Sequence, residues 1–297
     1  MKASFAVIEV GSASCRLLVR ASSGSIIEDQ KFSQAKAHES NITTLTEALL
    51  EANKFQTEDI VVIVSSGTPT EHDSAIRKII STYPHTTFRR LSGNEEAKLG
   101  VEAVQLALPV PAGSLIIDLG SSAQLTLTSQ VPKDNQVLSF KDTGFNAIQK
   151  RFPANELKEH VDTATNSMWE QLHAENPITE VIATSSMPLF MLTILGRYNG
   201  NPLKNTGDPL AVTGQRLTMD DLNEVIGRLS SDLEAETLTV TSTTGEVIQL
   251  SRKINLAYAY QLKRALELAE VNSALVCTYE WRHAIPWQKN PPHTDPH

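Results

Sequence analysis

Two short stretches of this 297-residue chain set an acid two residues ahead of a glycine and a run of small, hydroxyl-bearing residues. They are Glu9-Val10-Gly11-Ser12-Ala13-Ser14 and Asp118-Leu119-Gly120-Ser121-Ser122. Small residues in a turn let successive backbone N–H groups approach a phosphate, because no bulky side chain blocks the way. An acid just before the turn can hold Mg²⁺ through water, with the metal bridging phosphate oxygens. The chemistry suggested is therefore phosphate binding by Gly11, Ser12, Ser14, Gly120, Ser121 and Ser122, with Glu9 and Asp118 on the metal side. A single turn of this kind is explained as well by a plain hairpin. Two of them, each opening one half of the chain, make the stronger case.

The elements that must position these turns read as alternating strands and helices. Apolar runs at 5–10 and 16–20 flank the first turn as a hairpin. Helical periodicity covers 46–53, 73–83 and 95–108, and a β-branched strand covers 60–65. Two prolines and a glycine within 109–113 break the chain and mark the expected domain boundary. Strands at 114–118 and 125–128 then repeat the opening pattern. Helices are expected at 146–152, 155–173, 219–233 and 254–271, with a strand at 180–183. Thr218 and Asp221 have the spacing of a capping box. The repetition predicts two α/β domains of similar topology, 1–112 and 113–287, with their turns facing one cleft. Residues 288–297, rich in proline, read as a disordered tail, and its His293 and His297 are given no metal role.

Composition narrows the classes. A net charge of -8 argues against a nucleic-acid binder. It also means that an anionic ligand needs a local basic cleft. The longest apolar runs fall far short of the ~18 residues a membrane helix requires, and no signal peptide is expected. Cys15 and Cys277 lie in apolar, strand-like contexts and read as reduced, buried thiols of a cytoplasmic protein.

The details resemble one family. Glu9 to Ser14 followed by Arg16-Leu17-Leu18 is similar to the first phosphate motif of the exopolyphosphatase/guanosine pentaphosphate phosphatase (Ppx/GppA) family, Asp-x-Gly-Ser-Asn-Ser then x-Arg-Leu-Leu. Ser92-Gly93-Asn94-Glu95-Glu96-Ala97 matches its Ser-Gly-x-Glu-Glu-Ala block without a mismatch. Leu115 to Leu125 occupies the place of its second phosphate motif, Thr143-Gly144 resembles a later turn, and Tyr279 to Ala284 is similar to its closing segment. The matches run in family order over about residues 5–286, leaving no room for the further C-terminal domains of longer members. The resemblance implies two actin-like (ribonuclease H-like) domains with mixed sheets flanked by helices. It implies Mg²⁺-assisted attack of water on a terminal phosphate of inorganic polyphosphate or guanosine pentaphosphate, with Glu96 as general base at a partly exposed cleft position. Arg16 becomes the basic residue of the phosphate set, and a homodimer is compatible with the resemblance. On residues alone, Glu95 and Glu96 are an acidic first turn favoured by the helix dipole.

The departures from the family fall on the loops. Glu9 replaces an Asp, Ala13 an Asn, and Ser121-Ser122-Ala123-Gln124 stands where Gly-Gly-Ser-Thr-Glu is usual, so Gln124 loses an acid. Thr68 to His72 carries no Arg where the family has Thr-x-x-Leu-Arg. Ala183-Thr184-Ser185-Ser186 has lost both glycines of the third loop. Two functions remain open: an active phosphohydrolase, and a degenerate member that binds a phosphate-rich ligand, nucleotide or protein partner without turnover. A sugar or acetate kinase of the same architecture leaves the Ser-Gly-Asn-Glu-Glu-Ala block unexplained.

Overall fold

The computed structural model describes residues 3–11, 14–23, 25–33, 41–66, 68–120, 122–131, 134–172, 177–202, 209–242 and 245–285. The chain forms two compact α/β units. Unit 1 is built from the described residues of Met1–Val64, Thr68–Arg90 and Arg282–His297, and unit 2 from those of Ser65–Gly67 and Leu91–Trp281.

Unit 1 contains β1 (Ala3–Val10), β2 (Ser14–Ala21), β3 (Ile26–Ser33), helix α1 (Asn41–Lys54), β4 (Asp59–Val64), α2 (Asp73–Ile80) and β5 (Thr86–Arg90). The sheet order is β3-β2-β1-β4-β5. The first three strands are antiparallel neighbours, and β4 and β5 continue parallel to β1. Alternation sends Ala6, Ile8 and Val10 of β1 and Cys15, Leu17 and Val19 of β2 to one face. Helix α1 covers that face with Leu45, Ala48, Leu49 and Ala52, spaced as one helical stripe. Each large aliphatic chain buried there contributes about 1.5–3 kcal/mol.

Unit 2 contains α3 (Gly93–Ala107), β6 (Ser114–Leu119), β7 (Ala123–Leu127), β8 (Gln136–Phe140), α4 (Phe145–Arg151), α5 (Leu157–Trp169), β9 (Glu180–Ala183) and α6 (Met187–Ile194). It continues through β10 (Arg216–Thr218), α7 (Met219–Ser230), β11 (Thr237–Thr241), β12 (Val247–Ser251), α8 (Arg252–Leu268) and β13 (Ser273–Val276). Its six-stranded sheet runs β10-β13-β9-β6-β7-β8. Read from β8, three antiparallel strands are followed by two parallel ones, which is the order of unit 1. Strand β10 adds an antiparallel edge. Both units thus have the actin-like plan of a mixed sheet flanked by helices.

The loop at 109–113, read from sequence as the boundary, joins α3 to β6 inside unit 2. Val101 and Val104 of α3 pack with Ile116 of β6 and Ile182 of β9. The closing segment from Arg282 returns to unit 1. The tail at 288–297 lies outside the described residues.

Candidate active site

Helix α3 begins at a capping box. The Ser92 hydroxyl accepts from Glu95 N, and the Glu95 carboxylate accepts from Ser92 N at 2.8 Å. This satisfies two otherwise open N–H groups and fixes where the helix starts. Glu96, the next residue, is only 5 % exposed. The partly exposed carboxylate expected from sequence is therefore corrected to a buried one. An ionised carboxylate out of water must be hydrogen-bonded. Ser66 N donates to Oε1 at 2.6 Å, while Ser66 Oγ and Gln124 Nε2 each lie 2.9 Å from Oε2 as donors. Gln124, which reads in sequence as a lost acid, is thus a buried donor to the candidate base.

Asp118 is half-buried on β6 and stands in register with Gln124 on β7. Burial pushes the Tyr258 phenol of α8 far up, and the Asp118 charge pushes it further. In the turn that follows, Gly120 N donates to Ser122 O at 2.9 Å, and Gly120 O accepts from Asn146 N at 3.1 Å. The Gly120 N–H is thereby spent inside the turn. A Cβ at Gly120 would meet Ser122 O at an ordinary 3.7 Å, whereas one at Gly144 would lie 2.3 Å from Gly120 O and 2.7 Å from Ser122 O. The glycine that this turn demands is Gly144. Ser122 is half-buried in the turn, and Ser121 lies outside the described residues.

In unit 1, Glu9 stands in register with Arg16 across the β1–β2 hairpin. Gly11 follows, half-buried; Ser12 and the Ser14 side chain lie outside the described residues. Thr68 Oγ1 donates to Val10 O at 3.0 Å and ties the segment after β4 to the end of β1. Arg90 is engaged with Asp73 and donates to Thr68 O at 2.9 Å, so it braces the same segment.

A charge cluster that sequence reasoning missed lies beside Glu9. Arg282 Nη1 is 3.6 Å from Glu9 Oε2, and Arg282 Nη2 donates to both oxygens of Asp29 at 3.0 and 3.1 Å. His283 Nε2 is 3.3 Å from Asp29 Oδ2, and Arg20 donates to His283 O at 2.5 Å. Burial alone would raise the Asp29 carboxyl; Arg282, His283 and Arg16 outweigh it and hold the group well below the usual carboxylate range. Burial lowers His283 to about 4 against the pull of Asp29. The signal available in sequence was an acid within the strand-forming stretch Ile26–Ser33, which belongs to no motif.

Glu9 was expected to serve Mg²⁺. Its Oε2 is buried without a hydrogen-bond partner, as a metal-side oxygen would be, but the Arg282 guanidinium already supplies positive charge there. Among the described residues no group of three or more His, Cys, Asp or Glu is arranged to hold a metal ion. As placed, Glu9 does not fit a Mg²⁺ site, and no step below runs through a metal. Cys15 and Cys277 form no disulfide and are buried, with thiols pushed up to about 12 and about 11, chiefly by burial. Among the described residues no helix is long and apolar enough to cross a membrane.

No family model matches the sequence, and no curated protein matches it. Solved structures do match. A Ppx/GppA family member from Aquifex aeolicus superposes with a TM-score of 0.69 at 16 % identity, covering 95 % of each chain. An exopolyphosphatase from Cytophaga hutchinsonii gives 0.67 at 14 % identity, covering 95 % of this chain and 96 % of that one. An exopolyphosphatase-like protein gives 0.69 at 16 % identity, covering 95 % of this chain and 97 % of that one. The resemblance read from the two hairpins and the Ser92–Ala97 block is thus joined by a likeness along nearly the whole chain: its fold is that of the Ppx/GppA family structures.

Proposed function

We propose that this chain is a phosphoanhydride hydrolase of the exopolyphosphatase kind, acting on the terminal phosphate of inorganic polyphosphate or guanosine pentaphosphate and slower than its intact relatives. The observation that carries the reading is the Glu96 carboxylate, fixed at the start of α3 by Ser66 and Gln124. A general base must be an ionised acceptor at a set position, and three donors supply both conditions. Glu96 then takes a proton from the attacking water. The reduced rate follows from the loops, since phosphoryl transfer rests on donors and charges aimed at the phosphate. Gly120 has used its N–H, and Glu9 faces Arg282. Any Mg²⁺ binding belongs to this proposal as a weak interaction centred on Asp118. A cytoplasmic setting accompanies it, supported by two buried cysteines that are not joined in a disulfide.

A second reading, binding of a phosphate-rich ligand without turnover, is favoured by the burial of Glu96. Phosphate release from long-chain polyphosphate and from guanosine pentaphosphate separates the two, with Glu96→Gln as control. The first reading expects measurable release that falls about 10²-fold or more in the variant. Tight binding with no release in either protein selects the second. Absence of both binding and release sinks both.

A further inference from the structure

We propose that Gln124 is a positioning residue: its amide, together with Ser66, holds the Glu96 carboxylate in place, so that position 124 requires a neutral donor and rejects an acid. The inference rests on the role given to Glu96 above, but the contact it describes can be tested without turnover.

The geometry is specific. Gln124 is 8 % exposed and lies on β7, with its Nε2 2.9 Å from Glu96 Oε2. The amide orientation follows from need, because the opposite flip would set two acceptors against each other. The titratable neighbours sharpen the requirement. Strands β7 and β8 carry none, Ser66 is neutral, and Asp118 on β6 is the register partner of Gln124. On α3 itself, Glu95 is engaged with Ser92 and Lys98 is exposed. An acid at 124 would therefore set a carboxylate against Glu96 Oε2 at hydrogen-bond range, with Asp118 as its register partner on β6. Like charges at that range in a buried site are strongly unfavourable. In sequence Gln124 reads as a lost acid; in the fold it is a donor to the buried Glu96.

The test is a double-substitution cycle read by thermal unfolding at neutral pH. Gln124→Glu is nearly isosteric, so a residue that only fills space should tolerate it. The proposal expects Tm to fall by about 5 °C or more, the scale of a kcal/mol or two in a chain of this size. Combining Glu96→Gln with Gln124→Glu again sets an amide against a carboxylate and should recover most of that loss. The exchanged pair remains without phosphate release, because the base has gone. A Gln124→Glu protein with the wild-type Tm, or an exchanged pair no more stable than the single variant, overturns the proposal. Should Gln124→Glu fail to fold, an exchanged pair that folds supports the proposal, and one that also fails overturns it. Wild-type protein without turnover counts against the hydrolase reading and leaves this cycle intact.

Discussion

The hairpins β1–β2 and β6–β7 share a backbone plan and differ in what answers their acids. Each lies beside a parallel strand, β4 or β9. After each of those strands a threonine reaches back to the hairpin: Thr68 to Val10 O at 3.0 Å, and Thr184 to Ile117 O at 3.2 Å. Around Glu9 the compensation is ionic, from Arg282 with Arg16 opposite. Opposite Asp118 stands an amide, Gln124, whose donor is turned to Glu96. The backbone device has thus been kept twice while its electrostatics have diverged. Hydroxyl-to-carbonyl tethers hold the loops without reference to any bound cation, which leaves the charges free to change.

The largest effect should come from the ionic half. Arg282→Met removes the cation shared by Asp29 and Glu9 while keeping most of the buried side-chain volume. Breaking a buried pair by removing one partner costs about 3–5 kcal/mol. Urea unfolding should show a loss on that scale, partly recovered when Asp29→Asn is added. A loss below about 1 kcal/mol, the range of surface pairs, would mean that the cluster is effectively solvated and the contrast between the hairpins overstated.

A pH series examines the same cluster more gently. His283 has a folded value of about 4, below the ordinary value of 6.5. Between those values the unfolded chain binds more protons than the folded one, so stability rises with pH through this window and falls as pH drops from 6.5 towards 4. Asp29 is also depressed, and its contribution persists until the pH falls below the ordinary carboxylate range. The groups facing His283 are Asp29, Arg282 and Arg20. His283→Gln should flatten the slope between pH 6.5 and 4 while leaving the more acidic limb. An unchanged slope would place the titration elsewhere.

These effects concern what sequence concealed most. The two hairpins, the repeat and the helix at α3 were legible because small residues, β-branched runs and helical periodicity are local signals. The Thr218–Asp221 capping box and the helix after it were found because a cap, too, is a local signal. Strand β3 was missed because Glu28, Asp29 and Lys31 interrupt its apolar pattern, and Asp29 finds partners in Arg282, 253 residues away in sequence, and in the neighbouring His283. Helix α6 was missed because all eight of its residues are buried, which leaves no polar face to set a period. Glu96 was legible as a residue, but its burial was not, since Ser66 and Gln124 meet it only in the folded chain. The boundary at 109–113 was drawn from a proline-rich loop, a signal that marks a turn without saying whether a domain ends there.

The smallest predicted effect compares the loops after the equivalent strands β4 and β9. The third loop has lost its glycines in sequence, yet Ser185 keeps a left-handed backbone at φ 82°. A non-glycine residue in that region costs about 1–2 kcal/mol. Glycine removes the steric penalty but returns about 0.5–1 kcal/mol through the greater freedom of the unfolded chain. The Ser185 hydroxyl also accepts from Met187 N at a long 3.3 Å, a modest interaction that glycine would lose. The balance favours Ser185→Gly by a few tenths to about 1 kcal/mol, so Tm should rise by about 1–3 °C. Ser66, after β4, is not among the positive-φ residues, and both its N–H and its hydroxyl serve Glu96. Ser66→Gly should therefore lower Tm, since it deletes a donor to a buried carboxylate and adds chain freedom. Opposite signs for the two serine-to-glycine changes would separate a loop that retains only the backbone of a glycine turn from one recruited to hold a side chain. A fall in Tm for both would mean that Ser185 is stabilised by more than its backbone reveals.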